Sequence, residues 1–419
     1  MPKNLLKQAQ IEIKNQTSEK SGLDYKDFLG TFYNNVPDDD VAMMSPESLA
    51  FTAKNHLKLS HSRKFGDKPA ISVITPEKGK DGWDAGCTII DIVNDDMAFL
   101  VDSVVAEILR HNYEITIFIH PILHVARTKA GKIEDIYAAA KKDGTQGQSH
   151  IHIEISRILS KQKAEELKAD LDRVLSDTLY ANRDWQIMRD RLKAGQDVLK
   201  TAPAKYKKEL INEYQEFLNY LHDNNFTLLG YREYSLKTDG KKVTSKTIKG
   251  SSLGLLSDEI HPVYLNKTRT NLTDEQQKLR LAQEPMSISK VNKRSTVHRP
   301  VPLDAITIKK YDAKGHVIGE ILFIGLFTSV TYSRSLADIP YLRMKVDNVI
   351  KQSKFENASH NHKAIRHILE KYPRDEIMQM PEKTLYEHAI SILRLQERPQ
   401  IALYTRTDPF GRFISCLVY

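Results

Sequence analysis

Three groups of side chains in this 419-residue sequence have the types and spacing to do chemistry. The first is His150 and His152, an H-x-H pair in the alternating run HIHIEIS (150–156). Successive side chains of a strand point to opposite faces, so both imidazoles share a face and can share a metal ion. No carboxylate or third histidine is placed in the sequence to complete such a site. The pair therefore reads as solvent-facing, with Ile151, Ile153 and Ile155 on the core side, and no residue is assigned as a metal ligand. His360 and His362 read as loop residues without a ligand role.

The second group is Asn94, Asp95, Asp96 and Met97, between a strand and a helix. Backbone N–H groups at a helix start can hold an anion such as a ligand carboxylate. The neighbouring acids can then hold an ammonium group, which suits an amino-acid effector. The plainer account of these residues is helix capping. The third group is Lys290, Lys293, Arg294 and Arg299 around Ser295-Thr-Val-His298. These can hold an acidic partner surface or a phosphate, so Arg294, His298 and Arg299 are candidate interface residues. The plainer account is a charged, solvated strand edge.

Catalytic signatures are absent. There is no G-x-G-x-x-G after a strand, no phosphate-binding G-x-x-x-x-G-K-[ST] and no H-E-x-x-H. No catalytic, cofactor-binding or metal residue is assigned to this chain.

The elements that must position these groups follow from periodicity. Residues 1–66 are helical and polar, broken near Asn34–Asp40, with Leu49, Phe51, Ala53 and Leu57 as a short apolar face. Residues 67–160 read as a unit: a strand at Ala70–Ile74, a stronger one at Cys87–Val93 (CTIIDIV), and a helix over Met97–Arg110. In that helix Phe99, Leu100, Val104, Ile108 and Leu109 recur at helical spacing. A strand region at Glu114–Val125, interrupted by Pro121, and HIHIEIS complete an order that matches a βαββαβ, ferredoxin-like unit. Residues 161–225 form a helical connector.

Residues 226–340 read as an antiparallel sheet domain of about five strands. A charged insert lies at Leu265–Gln283. Two of its strands flank Asp312-Ala-Lys-Gly315, where Gly supplies positive φ and Asp bonds its own backbone two residues on. The second of these strands, Val317–Phe327, is apolar on both faces and so reads as covered on both. Residues 341–398 are helical again. Residues 399–419 are two strands around a turn at Asp408–Gly411. Two strands alone are marginal in water, so this piece reads as the incomplete start of a further domain.

Composition narrows the function classes. Apolar residues make up 40% and charged residues 28%, an ordinary balance for a chain with real cores. The net charge of +8 is spread thinly and forms no basic block, which argues against nucleic acid as a partner. No apolar stretch approaches the roughly 18–20 residues that span a bilayer, and no signal-peptide core opens the chain. Two cysteines, Cys87 and Cys416, both inside apolar runs and without a C-x-x-C, read as buried, reduced thiols of a cytoplasmic protein.

Seven segments occur in an order that resembles a known family: NDDMAFLVDS (94–103), FTLLGYR (226–232), STVHRP (295–300), GEILFIGLFTS (319–329), IPYLR (339–343), YPRDE (372–376) and DPFGRF (408–413). Together they are similar to the N-terminal part of the large bacterial NAD-specific glutamate dehydrogenases. One departure is Ala98, where the family pattern has Pro. The resemblance implies an α+β fold: an ACT-like domain at 67–160, a PAS-like sheet at 226–340 and the opening of a second ACT-like domain at 399–419. It also implies a longer enzyme that uses NAD to oxidise L-glutamate to 2-oxoglutarate and ammonium. Its catalytic lysine and dinucleotide-binding glycines would lie downstream, as this chain's principal partner, in a homo-oligomer. The chain itself would then be a regulatory and assembly segment without its own cofactor. The alternative is a separate amino-acid-sensing or scaffold protein acting in trans on a catalytic chain.

Overall fold

The computed structural model describes residues 2–16, 25–81, 84–139, 145–239, 242–260, 281–282, 284–357, 359–395, 400–408 and 411–419. It is a mixed α+β structure with antiparallel sheets, in two units: residues 1–179 with 296–300, and residues 180–295 with 301–419.

In the first unit, helices α1 (Pro2–Gln16), α2 (Tyr25–Phe32), α3 (Asp38–Ala42) and α4 (Pro46–Ser62) precede a six-stranded sheet. Its strands are β1 (Ala70–Ile74), β2 (Thr88–Asp95), β3 (Ile115–Ile119), β4 (Ile122–Arg127), β5 (Ile133–Tyr137) and β6 (Gln146–Ile155), in the order β1-β2-β6-β4-β5, with β3 also on β6. A short helix, α5 (Lys78–Asp81), follows β1. Between β2 and β3 comes α6 (Leu100–Arg110), and after β6 comes α7 (Lys161–Arg183). Ile90 and Ile92 of β2 and Ile151, Ile153 and Ile155 of β6 pack against Leu100, Val104 and Ile108 of α6 and Leu167, Leu171 and Leu175 of α7. Leu109, expected in that stripe, is instead 55% exposed, because the four-residue spacing of 100, 104 and 108 turns it to solvent.

The other face of this sheet was expected to meet water. It is covered: all eight positions of β2 are buried, and His150 and His152 have no exposed surface. The cover is α4. Its register along β6 follows from pitch. The span from Ser48 to Ser60 rises about 18 Å as helix, and Gln148 to Glu154 runs about 20 Å as strand. Leu49, Ala53 and Leu57 of α4 join Phe28, Leu29 and Phe32 of α2 in a neighbouring apolar core with Ile117, Ile119, Leu123 and Val125.

The second unit begins with helices α8 (Trp185–Leu199) and α9 (Lys208–Tyr220). Its sheet comprises β7 (Phe226–Asp239), β8 (Lys242–Thr247), β9 (Leu253–Gly254), β10 (Met286–Arg294), β11 (Pro302–Tyr311) and β12 (Val317–Phe327), ordered β10-β11-β12-β7-β8, with β9 on β7. Nine of the eleven residues of β12 are buried, as its apolar run requires. At the β11–β12 turn Gly315 has φ of 81°, and Asp312 Oδ1 accepts from the Lys314 N–H at 2.9 Å. The helices α10 (Ser329–Ser333), α11 (Leu342–Ser353), α12 (His360–Lys371), α13 (Arg374–Gln379) and α14 (Glu382–Leu395) follow.

His360 and His362, read as loop residues, open α12, because Ser359 caps it by accepting the His362 N–H. The final hairpin, β13 (Leu403–Thr407) with β14 (Ile414–Val418), forms its own two-stranded sheet, which leaves Cys416 exposed where burial was expected, while Cys87 is buried. Except for residues 281–282, the expected insert at Leu265–Gln283 lies outside the described residues.

Candidate functional site

The covered face of the first sheet carries the densest chemistry in the described residues. On β6, Gln148, His150, His152 and Glu154 alternate with the isoleucines and form a polar column. Register places Asp91 of β2 directly opposite His152. On α4, Ser48, Thr52, His56 and Ser60 recur every four residues and form a polar stripe. Stripe and column meet along their length. Ser60 Oγ donates to Gln148 Oε1 at 2.5 Å, Asn55 Nδ2 to Asp91 Oδ2 at 2.5 Å, and Ser48 Oγ to Glu154 Oε1 at 3.4 Å.

At the centre, His152 Nδ1 lies 2.6 Å from Asp91 Oδ1, and His56 Nε2 lies 3.2 Å from the same oxygen. His56 Nδ1 is 3.3 Å from His150 Nδ1, whose Nε2 is 3.1 Å from Gln148 Oε1. His152 Nε2 faces Glu154 Oε1 at 3.5 Å. His56, Asp91 and His152 are wholly buried.

Burial and charge compete here. Burial alone raises the Asp91 carboxyl, but its close contacts with the His56 and His152 imidazoles outweigh it and hold the group below its ordinary range. Burial lowers His152, yet Asp91 and Glu154 overcome that and bring it up to about 9. For His56 burial wins and the group is lowered; His150 is lowered further, by burial and then by His56 beside it. The result is an ionised His152–Asp91 pair among neutral imidazoles.

A second arrangement in the same unit surrounds the start of α6. The strand β2 runs on through Asp95, so Asn94 and Asp95 are strand residues, and the helix begins only at Leu100. Capping by Asn94–Asp96 is therefore not what the structure has. Phe99 occupies the N-cap with φ of 68° and no side-chain cap. His298, also at φ 68°, packs against Phe99 with ring centres 4.9 Å apart and planes tilted by 41°, and its Nδ1 lies 2.8 Å from Asp102 Oδ2. The Ser103 hydroxyl donates to the Phe99 carbonyl at 2.6 Å and accepts the His298 N–H at 3.0 Å. Two strained residues in contact are held by their surroundings.

Comparison with known proteins places this architecture. Residues 28–171 match the family model for the glutamate dehydrogenase ACT1 domain, and residues 339–398 match the one for glutamate dehydrogenase helical motif 1. An NAD-specific glutamate dehydrogenase of Halomonas elongata is 32% identical over 99% of this chain and 26% of its own length. One from Pseudomonas aeruginosa is 33% identical over 84% of the chain and 22% of its own length. One from Mycobacterium tuberculosis is 24% identical over 87% and 21%. The chain belongs to the NAD-specific glutamate dehydrogenase family. It is an N-terminal segment of that family and spans about a quarter of the length of the curated relatives it matches.

Within this glutamate dehydrogenase segment, the residues singled out from sequence have different fates. Asp95 is buried and engaged by Arg63 at 2.7 Å and by the Gly66 N–H at 2.8 Å. Asn94 is buried in β2, while Asp96 is exposed and Met97 packs partly against the α6–α7 core. His298 meets the N-terminal turn of α6 through Phe99. Arg294 ends β10 and lines an open cleft of about 490 Å³ with Lys290, Lys293, Asp375 and Phe413. Sequence reasoning missed His56 and Asp91. The readable signal was a lone aspartate inside the apolar run CTIIDIV.

Proposed function

We propose that this chain is the regulatory and assembly segment of an NAD-dependent glutamate dehydrogenase. The complete enzyme would convert L-glutamate, NAD⁺ and water to 2-oxoglutarate, ammonium and NADH in the cytoplasm. The observation that carries this reading is an alignment through 99% of the chain that covers only 26% of the relative. Remaining length of that order houses the dinucleotide-binding and catalytic machinery, which is the principal partner of this chain within a homo-oligomer. Among the described residues no helix is long and apolar enough to cross a membrane.

In this reading residues 67–160 are ACT-like in the finer sense, 226–340 PAS-like, and 399–419 the opening of a second ACT-like domain. The segment Asn94–Met97 at the end of β2 is the contact for a small amino-acid effector, through exposed Asp96 and half-buried Met97. Arg294, His298 and Arg299 belong to the interface side of the segment.

The test follows NADH absorbance with glutamate and NAD⁺. The pure 419-residue chain forms no NADH, and NADH formation by it overturns the reading. Added to the complementary part of the enzyme, the chain raises the sedimenting mass; two species that sediment independently overturn the assembly role.

A further inference from the structure

We infer that His56, Asp91 and His152 form a binding site for one divalent transition-metal ion, with zinc as its representative. The three come from α4, β2 and β6, and their donor atoms lie within 4.8 Å of one another. Two imidazoles and a carboxylate are a donor set that suits zinc and its first-row neighbours.

Tautomers are dictated by the hydrogen-bond chain. Gln148 Oε1 accepts the Ser60 hydroxyl and also faces His150 Nε2, so His150 carries its proton on Nε2. Its Nδ1 is then an acceptor, and His56 must supply the proton from its own Nδ1 at 3.3 Å. That leaves a bare lone pair on His56 Nε2, 3.2 Å from a carboxylate oxygen. Two acceptors lie close together in a dry core, and the His56 Nε2 atom has no hydrogen-bond partner. Such an opposition costs free energy unless a cation sits between the two.

The proton shared by His152 and Asp91 lies along their 2.6 Å contact and does not serve His56. A metal ion serves all three. His152 Nε2, likewise without a hydrogen-bond partner, is turned toward the Glu154 carboxylate, the outer-shell arrangement that orients a ligating histidine.

Charge agrees. Asp91 and Glu154 together balance a divalent ion, whereas one imidazolium balances only one of them. Donor distances of about 2.0–2.2 Å to the metal require the 2.6 Å His152–Asp91 contact to open by less than about 1 Å. With no exposed surface at any of the three residues, the ion is structural: it ties α4 to the sheet and enters as the unit folds. The other such carboxylate–imidazole group among the described residues, Glu107, His111 and Asp170, already holds Arg110 and Arg173 among its oxygens and is neutralised without metal.

The experiment unfolds the full chain with a chelator and refolds it with one equivalent of Zn²⁺ or Co²⁺. Metal that co-elutes on gel filtration is then counted. Wild type carries about one ion per chain, and His56→Ala less than about a tenth of one. Glu154→Gln weakens affinity about 10–100-fold. Cys87→Ser keeps the metal, and the Co²⁺ spectrum lacks thiolate charge-transfer bands. Wild type that refolds with under about a tenth of an ion overturns the site and leaves a purely proton-linked cluster, as does His56→Ala with undiminished metal. Should His56→Ala fail to refold, the wild-type stoichiometry decides alone.

Discussion

The two sheets of this molecule bury polar groups in different ways. The first lays a continuous polar column under a polar helix stripe, so that Asp91 is met by His152, His56 and Asn55 at once. The second keeps its buried charges in ones and twos on apolar ground. Lys309 pairs with Glu320 at 2.7 Å, and Lys345 of α11 lies 3.5 Å from the Met378 carbonyl and 5.4 Å from the Tyr341 ring centre. Ile306, Ile308, Ile321 and Phe323 fill the space around the second sheet instead. A networked polar interior fixes which helix face may dock; an apolar one tolerates more but holds stray charges at a cost.

Asp91→Ala is the largest expected break in this contrast. It strips the counter-charge from a wholly buried imidazolium and should cost about 3–5 kcal/mol. Phe323→Ala in the second sheet should cost a similar amount, about 3–5 kcal/mol, through a cavity alone. Urea unfolding gives the magnitudes, and hydrogen exchange over 88–95 and 317–327 assigns each to its sheet. A loss below about 1 kcal/mol for Asp91→Ala would put the polar column outside the folding core.

Lys345→Met tests the second sheet from the other side. Burial, with a smaller contribution from Arg406, outweighs the attraction of Glu382 and Glu284 and lowers this ammonium to about 8. A lysine with a folded value below its unfolded one destabilises wherever it is charged in both states, which is below about 8. Stability then rises with pH from there to the ordinary lysine value, because the unfolded chain binds the extra proton. Lys345→Met should therefore gain about 1–3 kcal/mol at pH 7, and the gain should shrink as pH climbs through that window. Equal effects at pH 7 and pH 9.5 would show that the ammonium is not held in its buried position.

Much of this contrast was written in periodicity. Val317–Phe327 announced a strand covered on both faces, and Asp312 with Gly315 announced the turn. The first sheet was harder to read. The alternation of HIHIEIS correctly put His150 and His152 on one face and the isoleucines on the other. What covers the histidine face was not legible, because α4 lies about ninety residues upstream and its stripe of Ser48, Thr52, His56 and Ser60 looks like a solvated one. Only the pairing of stripe with column reveals either as interior. Likewise Asn94 and Asp95 have the composition of a cap, but the ladder to β6 runs on through them. The long-range pair with Arg63 outweighs the local propensity.

The smallest effect comes from the rim of the same unit, where residue types repeat and depth does not. Asp170 contacts His111 at 3.0 Å, Arg110 at 2.8 Å and Arg173 at 3.1 Å, as many partners as Asp91 has. Yet its side chain is 31% exposed and that of Arg110 is 54% exposed. Water already solvates these groups, and the long arginine side chains lose entropy when held. Asp170→Asn should cost less than about 1 kcal/mol. In 1 M salt, where the screening length falls to about 3 Å, the difference should vanish, while the loss from Asp91→Ala should persist. If Asp170→Asn instead cost as much as Asp91→Ala, the number of partners rather than their burial would set the energy, and the polar column would owe its weight to connectivity alone.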